Sequence, residues 1–186
     1  HAAEVMLDFL AQIRDETGVT LTELNLGGGF GIPYTENDHP KACGEYMRLV
    51  AGAVKARAAK WGLPVPFMVI EPGRSAVAQA GITLYTVGGI KEIPDVRTYV
   101  SVDGGMPDNP RYALYKSEYT CLIANKADQP ADTTVTVAGR CCESGDLLQE
   151  NTPLQACEPG DILAVLATGA YNYSMSSNYN RLPRPL

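Results

Sequence analysis

Apolar residues recur first with a helical period and later with a strand period. In "AAEVMLDFLAQIRDETG" (2–18), Val5, Met6, Phe9, Leu10 and Ile13 fall at 3.6-residue spacing, and Gly18 supplies a left-handed stop. "LTELNL" (21–26) then reads as a strand that runs into glycines. From Lys41 to Trp61 a second helix is predicted, with Tyr46, Leu49, Val50, Ala53 and Val54 on its apolar side, and "PFMVI" (66–70) follows as a short, fully apolar strand. Apolar strands joined by a helical crossover predict neighbouring parallel strands covered on both faces. Past Arg74 the pattern shortens to β-rich pieces, "GITLYTVGGI", "RTYVSVDGG", "EYTCLIAN", "TTVTVAG" and "GDILAVLA", with Gly, Pro, Asn and Asp between them. That texture predicts an antiparallel barrel or sandwich, closed by a short helix around "NYSMSSNY" (172–179). A boundary falls near residues 75–82, giving an α/β segment over 1–78 and an all-β domain over 79–186.

Two parallel strands flanked by helices cannot close a sheet, so the first segment is expected to be the last part of a larger βα array. Composition narrows the partners. The chain has 186 residues, 45% hydrophobic and 19% charged, with a net charge of -6 and a pI near 4.9. No run of Lys or Arg forms a basic stripe, which argues against nucleic acid and anionic membranes. The longest apolar stretch, "ILAVLA" (162–167), is far shorter than a membrane span, and a cytoplasmic location is expected. Five cysteines form no CxxC and suggest neither a disulfide framework nor a zinc site. His39, beside Pro40 in a polar loop, is expected on the surface.

The candidate chemistry begins at "LNLGGGFGIP" (24–33). Glycines at the carboxyl end of a parallel strand let backbone N–H groups approach an anion, usually phosphate, although a bare turn is the simpler alternative. Gly27, Gly29 and Gly31 give GxGxG, Tyr34 breaks GxGxxG, and no Gly-Lys-Ser/Thr follows, so dinucleotide and nucleoside triphosphate sites recede. The second strand ends in Glu71, Pro72, Gly73 and Arg74, again at a carboxyl end, where α/β folds place their ligands.

"LNLGGGFGIPY", "EPGRS", "VDGGMPDNPRYALY", "CESGD" and "TGAYNYSMSSNYNRLPRP" occur in this order. Together they resemble the diaminopimelate decarboxylases, fold type III enzymes of the alanine-racemase-like group. The resemblance implies a pyridoxal 5′-phosphate barrel followed by a β-domain. It places Gly27, Gly28 and Gly29 on the cofactor phosphate, Glu71 beside the pyridine nitrogen, and Gly73 with Arg74 and Tyr171 near the cofactor or substrate. It makes Arg111 and Tyr115 substrate-binding residues and Cys142 the proton donor. Glu143 would contact the far amino-acid end of meso-diaminopimelate, and the loop bearing both would enter the site of a partner subunit in a homodimer with shared active sites. No metal is implied.

Some features depart from the family pattern. Cys141 is an extra neighbouring thiol, and Tyr112 stands where proline is common, a change expected at the surface. None of the six lysines lies on an early barrel strand, where the family tethers its cofactor, and about 75 residues cannot supply a barrel of roughly 250. The expectation is a fragment that is inactive alone. Two alternatives stay open: a decarboxylase for another basic amino acid or for carboxynorspermidine, and a non-catalytic decarboxylase-like regulator.

Overall fold

The computed structural model describes residues 1–185. The chain divides into two compact units, one formed by His1–Gly31 and His39–Ser75, the other by Ile32–Asp38 and Ala76–Leu186.

In the first unit, α1 (Ala2–Thr17) and α2 (Cys43–Trp61) flank β1 (Glu23–Asn25) and β2 (Phe67–Val69), and the short helix α3 (Gly73–Val77) follows β2. The strands pair in parallel with Leu24 opposite Met68. Both long helices end on a left-handed glycine, Gly18 and Gly62, whose N–H bonds back to the last turn. Leu24 is buried among Leu7, Leu10, Val54 and Ala58. α1 buries Ala3, Leu7, Leu10 and Ala11, so of the predicted face Leu10 is buried while Val5, Met6 and Phe9 are exposed. The sequence carries two adjoining apolar stripes, and only the one bearing the small alanines sits close enough to pack. Similarly, Val54 is the one fully buried residue of the five expected on α2, and Leu49 is exposed. Phe67 is also exposed, so β2 is not covered on both faces. Asp8 ties the helices together, accepting from Arg57 Nε and Nη2 (2.6 and 2.5 Å) and from Trp61 Nε1 (2.6 Å). These donors hold its carboxyl down at about 2, the Arg57 bond contributing most.

The second unit is a six-stranded sheet. In chain order it comprises β3 (Thr83–Ile93), β4 (Arg97–Val102), β5 (Cys121–Ile123), β6 (Thr133–Ala138), β7 (Leu147–Leu154) and β8 (Ile162–Val165), in spatial order β5-β8-β3-β4-β6-β7. The sheet is mixed rather than wholly antiparallel, because β4 and β6 run parallel. The intervening chain carries the short helix α4 (Arg111–Tyr115) and β5, and so returns β6 in the same direction. Inward positions Tyr85, Val87, Val100, Val102, Val135, Val137, Leu148, Leu163 and Val165 form the core.

β7 was not anticipated, because "LLQENTPL" interleaves leucines with polar residues. Two of its features explain why the polar residues belong there. Gln149 Oε1 accepts the Tyr119 N–H (3.1 Å), and Gln155 Oε1, just beyond the strand, accepts the Ile123 N–H (2.8 Å). Side-chain amides thus serve the edge of β5 and nearly close the barrel, leaving little unpaired edge. The Ile32–Asp38 segment lies on this unit, with the Tyr34 ring edge-on to Tyr119 at 4.9 Å and Tyr34 O accepting from the Thr120 N–H. At the carboxyl end the expected helix is short, α5 (Asn172–Met175), followed by a single 3₁₀ turn at Tyr179–Arg181.

Candidate active site

The residues singled out in the sequence fall into groups, each built by local backbone. In the first unit the ends of β1 and β2 lie side by side. Leu26 N–H bonds Val69 O (3.0 Å) and Glu71 N–H bonds Gly27 O (2.9 Å), carrying the parallel pairing past the strands. A Cβ on Gly28 would stand 2.4 Å from Glu71 O, whereas Gly27 and Gly29 have left-handed φ of 69° and 89° with open space beside them. The three glycines therefore have different causes: Gly28 is bare because the backbones touch, and its neighbours because the chain turns. The Gly27 N–H donates to Asn25 Oδ1 at 2.8 Å. The N–H groups of Gly28 and Gly29 make no hydrogen bond among the described residues. Open space lies beside Gly29, and N–H groups so placed suit an anion.

Asn25 went unnoticed in the sequence. Its Oδ1 holds Gly27, and its Nδ2 donates to Glu71 Oε1 at 2.6 Å. One amide thus fixes the glycine turn and the carboxylate together. Gly73 N–H closes a tight turn on Glu71 O (2.9 Å), and half-buried Arg74 follows on α3.

In the second unit, α4 and the N-cap of α5 bring Arg111, Tyr115 and Tyr171 together. The Arg111 guanidinium lies 5.5 Å from the Tyr115 ring and 5.7 Å from the Tyr171 ring, close enough for cation–π attraction. Tyr171 adopts a left-handed φ of 68°, a strain of about 1–3 kcal/mol for a residue with a side chain. Arg111 is only 7% exposed. Among the described residues no carboxylate pairs with it: Nε has no hydrogen-bond partner, and Nη2 lies 3.4 Å from Ser117 Oγ. The Tyr119 hydroxyl, pushed up by burial, lies within reach of both Arg111 and the buried Asn172 amide. A buried cation lacking a counter-charge costs several kcal/mol, so this environment favours an anion.

Tyr112 is not the surface residue expected. It is 7% exposed, its hydroxyl donates to Glu150 Oε2 at 2.7 Å, and burial with that carboxylate pushes its pKa up to about 12. It pins α4 to β7. Glu150 in turn accepts from Arg97 (3.0 Å), and the two donors keep its carboxyl below the usual range.

Cys142 and Glu143 sit on the β6–β7 turn, both exposed. Glu143 Oε1 accepts the Gly145 N–H (3.1 Å), and Oε2 lies 3.5 Å from the Tyr179 hydroxyl. Cys141 is half-buried, and burial, reinforced by Asp146, raises its thiol to about 11. His39 is exposed, as expected.

Residues 8–169 match the family model described as "Pyridoxal-dependent decarboxylase, C-terminal sheet domain". The chain belongs to the pyridoxal-dependent decarboxylase family. Its relatives within that family include the diaminopimelate decarboxylase of Bacillus subtilis (strain 168), 52% identical over 184 residues and covering 99% of this chain and 42% of the relative. The diaminopimelate decarboxylase of Synechocystis sp. is 53% identical over 168 residues, covering 90% and 36%. Among solved structures, diaminopimelate decarboxylase from M. jannaschii in complex with L-lysine superimposes with a TM-score of 0.85 at 34% identity, covering 99% of this chain and 41% of that one. The chain thus spans about two fifths of the length of the relatives it matches. Among the described residues, no helix is long and apolar enough to cross a membrane.

Proposed function

We propose that the complete gene product is a pyridoxal 5′-phosphate-dependent decarboxylase that converts meso-diaminopimelate to L-lysine. The observation that carries this reading is Arg111, a buried guanidinium near two tyrosine rings with no paired carboxylate among the described residues, in a chain about half identical to diaminopimelate decarboxylases. A diacidic substrate supplies the missing anion, and the planar guanidinium holds it by two parallel hydrogen bonds.

The glycine turn fits the cofactor's phosphate: the Gly28 and Gly29 N–H groups have no partner among the described residues, open space lies beside Gly29, and a side chain at Gly28 would push the two strand tips apart. Gly28 and Gly29, with Arg74, would hold the phosphate, and Glu71 would lie at the ring nitrogen. Asn25 keeps Glu71 in place. When bound, pyridoxal phosphate supplies the electron sink that allows carboxylate to leave as carbon dioxide. Arg111 and Tyr115 orient the substrate through its carboxylate. Cys142 Sγ delivers a proton to the carbon that has lost carbon dioxide, and Glu143 accepts hydrogen bonds from the far ammonium.

The first unit takes its place in a (β/α)8 barrel, which covers the apolar stripe of α1 that the described residues leave exposed. The active form is a cytoplasmic homodimer in which the Cys142 loop of one subunit completes the site of the other. Release of carbon dioxide from meso-diaminopimelate, compared with ornithine and arginine, tests the reading. Turnover confined to ornithine or arginine, or none on any of the three, would refute it.

A further inference from the structure

The loop that carries Cys142 and Glu143 is exposed, yet a buried carboxylate ties it down. Asp146, 3% exposed, closes the loop by four hydrogen bonds. Its carbonyl accepts the Gly139 N–H (2.8 Å), its Oδ2 accepts the Cys141 N–H (2.7 Å), and its own N–H donates to Glu143 O (3.0 Å). Its Oδ1 reaches across to the Met106 N–H (2.6 Å) in the turn after β4. Alternate residues 139, 141 and 143 are thereby bonded to one side chain or its backbone, leaving the intervening Cys142 free to face outward.

The notch around this carboxylate has no slack. A Cβ on Gly139 would lie 2.2 Å from Asp146 Oδ2, and one on Gly105 2.4 Å from Oδ1. Among the described residues no cation is paired with Asp146. Its charge is met by backbone N–H groups, an arrangement that fixes main chain rather than balancing a distant side chain.

We infer that Asp146 is a positioning residue, which sets the place of Cys142 and Glu143 by clamping the β6–β7 turn to the Gly105–Met106 turn. This rests on the roles proposed above for Cys142 and Glu143. A carboxylate is required chemically. An asparagine of the same shape keeps one acceptor and turns an N–H against either Met106 or Cys141, so one tie opens and the loop gains freedom. General acids contribute by being held within hydrogen-bond reach of the accepting atom, so a loosened loop should cost turnover through Cys142 in particular.

The test compares Asp146→Asn, Cys142→Ala and the double variant of the complete gene product, by kcat and KM on meso-diaminopimelate and by amide hydrogen exchange at Met106 and Cys141. The expected result is a kcat lower by about 10–100-fold in Asp146→Asn, less than the roughly 10²–10⁴-fold that a general acid contributes, because Cys142 is loosened and not removed. The same change made in Cys142→Ala should cost less than about threefold, because residues acting as a unit are not additive. Exchange at both amides should quicken while the melting temperature holds. Equal proportional losses in the two backgrounds would make Asp146 merely structural and overturn the inference, as would parent turnover in Asp146→Asn beside an impaired Cys142→Ala. Parent turnover in Cys142→Ala would refute the proton-donor reading instead, and exchange then decides alone: quickened amides support the clamp, unchanged protection overturns it. If Asp146→Asn does not fold, Gly139→Ala displaces the same carboxylate without removing its charge and is expected to give the same pattern.

Discussion

Two substitutions of glycine by alanine, identical in chemistry, should move the stability of the first unit in opposite directions. At Gly28 the new methyl would sit 2.4 Å from Glu71 O, about 1 Å inside an ordinary contact, and both groups are backbone, so no side chain can swing away. Relief requires the two strand tips to separate, stretching the Glu71–Gly27 bond that now measures 2.9 Å. Overpacking of this kind costs typically about 1–3 kcal/mol, and the rigid partner places Gly28→Ala toward the upper end. Gly52 lies in the interior of α2, exposed, and a methyl there would meet nothing within 4 Å. Alanine at that position removes backbone freedom from the unfolded chain, and Gly52→Ala should add about 0.5–1 kcal/mol. The assay is denaturant unfolding followed by fluorescence of Trp61, the single tryptophan, which donates to Asp8 inside this unit. A spread of about 2–4 kcal/mol between the variants follows from adding the two effects. Equal midpoints, or a Gly28→Ala protein as stable as its parent, would refute the close approach of the strand tips.

Asp8 gives a pH signature. Its carboxyl is held at about 2 by Arg57 and Trp61, below the ordinary 3.8, so it contributes stability that is present above the unfolded value and lost as pH falls from about 4 toward 2. Asp8→Asn should flatten that part of the unfolding profile, read again through Trp61, and an unchanged profile would contradict the pairing. Replacing Gln155 by Leu leaves the buried Ile123 N–H without its acceptor, at a cost of about 1–3 kcal/mol, with faster exchange at that amide. Protection equal to the parent would show that the barrel seam is closed by something else. Arg111→Lys retains the charge but not the two-pronged hold. It should raise KM for meso-diaminopimelate by about 30-fold or more, corresponding to the lower end of the 2–5 kcal/mol lost when a buried charge pair is broken. An unchanged KM would remove Arg111 from substrate binding.

Where local pattern and tertiary packing agree, the fold was legible in the sequence. The strands at "LTELNL", "PFMVI" and five of the six β segments of the second unit follow from apolar runs bounded by turn residues, and both long helices from their period and their terminal glycines. β7 escaped because Gln149 within it and Gln155 just beyond it serve backbone N–H groups at and beside β5, about 30 residues away, a use of polar side chains that alternation cannot reveal. The buried face of α1 differs from the expected one because helical spacing marks which residues share a side, not which side meets a neighbour. In the candidate site, residues carrying chemistry of their own, Glu71, Arg74, Arg111, Cys142 and Glu143, stand out by type and motif. Asn25, Tyr112 and Asp146 act through others, and nothing in composition or spacing separates an aspartate that clamps backbone from one on the surface. The one visible signal for Asp146 is its place as the last residue of "CESGD".

The most direct test of the account is carbon dioxide release from meso-diaminopimelate by the complete gene product supplied with pyridoxal phosphate, measured beside the Arg111→Ala variant. The account predicts turnover of this substrate well above ornithine or arginine, and a loss of about 2–5 kcal/mol in kcat/KM when the buried guanidinium is removed. Equal turnover of the two proteins, or a preference for ornithine, would contradict it.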